Sequence, residues 1–103
     1  MAPETARHAR LTVQEARRRL EHEREARLEQ LRTLAKAGEE ADGNLVAAQE
    51  ATIRRVLAEV DAAFARLGTP AHGLCEGCAA PIPDERLEIL PYTRHCVACR
   101  SRA

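Results

Sequence analysis

The chain has 103 residues, 16 Lys/Arg against 16 Asp/Glu, and only two aromatic side chains, Phe64 and Tyr92. The balance holds segment by segment: nine against nine over residues 1–42, three against three over 43–70, and four against four over 71–103. This excludes the basic excess on which non-specific nucleic-acid affinity depends, and so few bulky apolar groups exclude a large globular core.

No apolar run approaches membrane-spanning length and the first residues lack a signal-peptide core, so the expectation is a cytoplasmic chain. In that reducing compartment thiols and zinc are expected rather than disulfides. A chain this small and this polar also needs a staple, and a structural metal is one remedy.

Residues 1–10 are polar and aperiodic and read as a flexible N-terminus. Thr12-Val-Gln-Glu15 then forms a capping box, with Leu11 and Ala16 placed as a hydrophobic staple. From there to about Ala37 no proline or glycine interrupts a run of strong helix formers. Val13, Ala16, Leu20, Leu28, Leu31, Leu34 and Ala35 make a broken apolar stripe, weakest over Glu23–Arg27. The arginines Arg10, Arg17, Arg18, Arg19 and Arg24 interleave with Glu15, Glu21, Glu23 and Glu25. They read as a solvated face with Glu15–Arg19 and Glu23–Arg27 pairs, not as a nucleic-acid patch.

Lys36–Asn44 breaks the helical pattern. Gly38 is a plausible stop, and Asp42 or Asn44 a plausible cap for the next helix. The second helix runs from Leu45 to Leu67 on a cleaner seam, with Val46, Ile53, Val60 and Leu67 seven apart and Leu57 and Phe64 between them. Gly68-Thr-Pro70 ends it. Helices of similar length joined by a short connection predict an antiparallel coiled-coil hairpin over residues 11–70, with its tip at about 38–44. One long intermolecular helix is disfavoured by Gly38 and Gly43.

Residues 71–103 hold all four cysteines: Cys75-x-x-Cys78, seventeen residues, then Cys96-x-x-Cys99. Two such pairs at this separation predict a four-thiolate zinc site; two disulfides or a redox dithiol are the competing readings. Gly77 is expected to supply a positive φ inside the first knuckle. His72 and His95 are read as solvated neighbours rather than ligands. Pro81, Pro83 and Pro91 exclude a long helix between the pairs, and Arg86–Leu90 reads as a short strand. The predicted fold class is thus mainly α, a helical hairpin followed by a small C4 zinc finger. A complete four-sulfur shell holds one structural Zn²⁺ with no open position for substrate. With no nucleophile–base pair and no phosphate-binding glycine loop either, the chain does not read as an enzyme.

The spacing Cys75-x-x-Cys78, Ile82, Arg86-Leu87, Pro91, Cys96-x-x-Cys99 resembles the DksA/TraR family of zinc-finger transcription factors, as do Leu11, Thr12 and Glu15 upstream. The resemblance is specific over residues 72–99 and architectural over 11–67. It implies a cytoplasmic regulator, expected to be a monomer, that binds RNA polymerase without a DNA sequence of its own. Members insert the hairpin into the secondary channel and modulate initiation with acidic residues at the tip, some of them together with ppGpp. Here the tip residues are Glu39, Glu40, Asp42 and Asn44, a variant of the family's two aspartates. Ala79 stands where the family usually has glycine, and the helix after the last cysteine is almost missing. The alternative reading is a zinc-stapled protein-interaction module, or a redox-sensing zinc finger, that does not bind polymerase.

Overall fold

The computed structural model describes residues 11–37 and 43–102. Two long helices, α1 (Val13–Ala37) and α2 (Gly43–Arg66), precede two short ones, α3 (Asp84–Ile89) and α4 (Val97–Arg102). At 1.5 Å per residue α1 and α2 are each roughly 36 Å long, and the molecule is elongated, 59 × 30 × 20 Å. The expected flexible stretch 1–10 and most of the expected tip lie outside the described residues.

The start of α1 follows the sequence rule. The Thr12 hydroxyl accepts from the Glu15 N–H at 3.0 Å, and the Glu15 carboxylate accepts from the Thr12 N–H at 3.0 Å. These bonds, the one to the Thr12 backbone first, hold the Glu15 carboxyl below its ordinary pKa. Leu11, ahead of the helix, packs into the four-cysteine segment, against the cluster Cys75, Ile82 and Leu87.

The helices pack antiparallel. Arg24 of α1 pairs with Asp61 of α2 at 2.9 Å, while further along α1 Leu34 shares a groove with Gln49 and Ile53. The seam is best formed at the base, where Leu20, Val60 and Ala63 are buried and Val56, Phe64, Leu67 and Tyr92 pack around them. Burying such aliphatic side chains contributes about 1.5–3 kcal/mol each, so this end anchors the hairpin. Toward the tip Leu28, Leu31, Leu34 and Ile53 are only half-buried and Ala35 is exposed, as is Val13 at the opposite end of α1.

The weak part of the α1 stripe is filled by an ion pair. Arg27 Nη2 donates to both Glu23 oxygens at 3.1 and 3.0 Å, and Arg27 Nη1 donates to Gln30 at 2.8 Å. The Glu23 side chain is only 16% exposed, so this pair belongs to the seam more than to a solvated face. Of the two ion pairs expected on α1, Glu15–Arg19 is replaced: Glu15 serves Thr12, and Arg19 faces Glu88 of α3 at 3.9 Å.

Residues 86–90 are not a strand. Pro83, with φ −58°, leads directly into α3, and Asp84 and Glu85 place carboxylates in its first turn, where the helix dipole favours them. Leu87 is buried while Ile89 is 77% exposed. A strand would put residues two apart on one face; a helix puts them on opposite sides.

Candidate metal centre

The first cysteine pair sits at the end of a narrow backbone hairpin. The Ile82 N–H donates to the Gly73 carbonyl, the Cys75 N–H to the Ala80 carbonyl and the Ala79 N–H to the Cys75 carbonyl, each at 2.8 Å, with Leu74 and Pro81 bridged antiparallel. The second pair straddles the start of α4: Cys96 lies just before it, its carbonyl accepting from the Arg100 N–H, and Cys99 projects from its first turn. Arg86 holds the approach to this second pair by donating from Nε to the His95 carbonyl at 2.9 Å.

The four Sγ atoms lie within 4.8 Å of one another, and Cys78 and Cys96 are 3.9 Å apart. A tetrahedral Zn²⁺ with bonds of about 2.3 Å requires sulfurs roughly 3.8 Å apart. The donor set therefore fits one zinc ion. All four cysteines are free, which removes the two-disulfide reading.

The electrostatics point the same way. N–H groups of Cys96, Cys78 and Gly77, with the Cys99 thiol, aim at the Cys75 sulfur and bring its pKa down to about 6; the Gly77 N–H lies at 3.3 Å. Hydrogen bonds to the Cys75 and Cys96 sulfurs, then burial, push Cys99 up to about 12. Four adjacent thiols shed the first proton easily and the last with difficulty. A dication held among them is what makes all four thiolates stable together.

Gly77 is required for a different reason than expected. Among the described residues positive φ falls on Gly68, Gly73 and Ala79 and not on Gly77. A Cβ at Gly77 would stand 2.9 Å from Cys99 Sγ and 3.2 Å from Cys99 Cβ, so glycine is there to let the knuckle approach the opposite ligand. The left-handed position is Ala79, at φ 66°. His95 lies beside Gly77, but among the described residues only the four cysteines group as metal donors.

Of the tip residues, Glu39, Glu40 and Asp42 lie outside the described residues, and Asn44 is the exposed second residue of α2. Asn44 is thus within the first turn, not ahead of it as a cap. The residues that sequence reasoning missed join the metal centre to the hairpin. Tyr92 packs into the α1–α2 core, and Arg94 reaches Glu59 of α2 at 2.7 Å and Glu76 of the first knuckle at 3.5 Å. These partners lie 35 and 18 residues from Arg94 in the chain, so no local pattern announces them.

Residues 68–103 match the family model of the prokaryotic dksA/traR C4-type zinc finger. This segment is a DksA/TraR zinc finger. Over residues 68–103 the finger expected from the cysteine spacing is therefore confirmed, and with it the cofactor: four cysteines placed to bind one zinc ion. Among proteins of known sequence, an uncharacterized protein of Aquifex aeolicus (strain VF5) is 38% identical over 61 residues. That alignment covers 59% of this chain but 39% of the relative, so the chain spans about two fifths of that protein's length. Among solved structures, the transcription factor DksA2 from Pseudomonas aeruginosa aligns over 87% of this chain and 75% of its own, at 25% identity and a TM-score of 0.47. Among the described residues no helix is long and apolar enough to cross a membrane.

Proposed function

We propose that the protein is a cytoplasmic, non-enzymatic transcription regulator that binds RNA polymerase as a monomer, directs its helical hairpin into the secondary channel and modulates initiation. The DksA/TraR finger at residues 68–103 carries this reading, because it is a regulatory family's module docked on the base of an antiparallel hairpin. Cys75, Cys78, Cys96 and Cys99 hold zinc in a closed shell and supply shape, not chemistry.

The acting groups in this reading are at the far end of the hairpin: Glu39, Glu40, Asp42 and Asn44. Carboxylates suit the task because hard cations such as Mg²⁺ take oxygen ligands and arginines pair with carboxylates bidentately. An acid delivered near the polymerase's catalytic metal or its basic lining shifts the stability of the open complex. DNA sequence is read by the polymerase and not by this chain, whose charge is balanced throughout.

The test is transcription in vitro with purified polymerase, comparing wild type with Asp42→Asn. Wild type is expected to bind core polymerase at micromolar concentration and to change transcript yield from some promoters. Asp42→Asn is expected to bind equally and to lose the effect. Absence of binding would overturn the proposal, and equal effects from both proteins would return Asp42 to a structural role.

A further inference from the structure

The hairpin and the finger exchange one large side chain each. Leu11, at the start of α1, lies in the finger's cluster of Cys75, Ile82 and Leu87; Tyr92, from the finger, lies against the hairpin's cluster of Leu20, Val60 and Ala63. Tyr92 belongs to a strap, Pro91–Arg94, that runs from α3 to the second cysteine pair. On its inner side the strap is tied to the first knuckle: the Glu76 N–H donates to the Arg94 carbonyl at 2.8 Å. On its outer side it is tied to α2. Arg66 Nη2 reaches the Tyr92 carbonyl at 3.4 Å, and Arg94 Nε donates to Glu59 at 2.7 Å while its Nη1 faces Glu76.

We infer that this strap couples metal occupancy to the seating of the hairpin. Zinc draws the two knuckles together; the closed knuckles fix both edges of residues 91–94; and the strap then holds the last two turns of α2 through Tyr92 and Arg94. Without the metal, the Glu76–Arg94 contact joins two segments held only by the small Cys75–Ile82–Leu87 cluster and the Arg86–His95 bond, and Tyr92 loses support that keeps it in the hairpin core. Further from the base, α1 keeps its Glu23–Arg27 pair and Leu34 still shares a groove with Ile53, so the distal hairpin keeps its helices. Because α1 extends roughly 37 Å from this base, a rotation of about 10° at the strap moves the far end by roughly 6 Å. Metal loading therefore sets where the far end of α1 lies relative to the finger.

The chain supplies its own reporter, since Tyr92 is the single tyrosine and there is no tryptophan. Near-ultraviolet circular dichroism and amide hydrogen exchange of the zinc-loaded protein are compared before and after chelation under reducing conditions. Chelation is expected to abolish the Tyr92 band and to speed exchange over residues 59–67 by about tenfold or more, with a smaller change over 24–34 and 46–53. Arg94→Gln, with zinc still bound, is expected to speed exchange over the same residues 59–67; Tyr92→Ala adds to this, and Arg32→Gln, on the exposed face of α1, changes nothing there. Because Arg94→Gln removes no buried apolar group, it remains informative if Tyr92→Ala fails to fold. The inference is overturned if chelation leaves the Tyr92 band and the protection of 59–67 intact. It is equally overturned if chelation deprotects the whole hairpin uniformly, or if zinc-loaded Arg94→Gln protects α2 as wild type does.

Discussion

Gly77→Ala adds a single methyl group where the first knuckle faces the opposite ligand. Its carbon would stand 2.9 Å from Cys99 Sγ and 3.2 Å from Cys99 Cβ, whereas comfortable contacts begin near 3.5 Å. The sulfur would have to retreat by about half an ångström, but a zinc–sulfur bond tolerates only about 0.2 Å. Cys99 cannot yield alone, because it is carried on α4, whose first turn is bonded back to Cys96. Overpacking of this kind costs about 1–3 kcal/mol, which corresponds to a loss of zinc affinity of roughly 5- to 150-fold. Competition against a chromogenic chelator under reducing conditions measures it directly. Gly43→Ala is the control, since nothing lies within 4 Å of the Cβ it would add, and its zinc affinity should equal that of wild type. If Gly77→Ala binds zinc within twofold of wild type, the close-approach account of this glycine is wrong.

Four further outcomes follow from the same structure. Ala79→Gly relieves a left-handed backbone at φ 66°, a conformation that costs an alanine about 1–2 kcal/mol, so zinc should bind several-fold more tightly in the same competition. Zinc affinity should fall with falling pH because protons compete for all four sulfurs, and more steeply below about 6, where in the metal-free site even Cys75 takes up a proton. Loading at neutral pH should release protons, because Cys99 holds its own up to about 12 in the absence of competition from metal; calorimetry in buffers of different ionisation enthalpy reads this. Leu20→Ala empties a fully buried position at the hairpin base and should cost about 2–5 kcal/mol, lowering the thermal midpoint by at least about 10 °C while zinc still binds.

Both helices of the hairpin were legible because their signals are local. The capping box at Thr12 and Glu15 satisfies its own two N–H groups, and Val46 and Val60 bury on the face that their heptad spacing assigns. The metal centre was legible for the same reason, since two short cysteine pairs each make a knuckle. What escaped depended on distant partners or on competition between signals. Leu87 and Ile89 looked like strand alternation, but Pro83 and the acids after it start a helix whose period separates them. The positive φ expected at Gly77 falls instead on Ala79, because the residue types alone do not say which position bends and which is crowded by Cys99. The gap in the α1 stripe was read as solvent-facing charge, yet Glu23 and Arg27 neutralise each other well enough to stay in the seam.

The proposal that the hairpin enters RNA polymerase is tested most directly by placing a photo-crosslinking residue at Asp42 in the zinc-loaded protein and irradiating its mixture with purified core polymerase. The account predicts crosslinks to polymerase segments that border the secondary channel and its catalytic centre, abolished when the metal is removed. Crosslinks confined to the polymerase's outer surface, or none at concentrations that saturate binding, would contradict it.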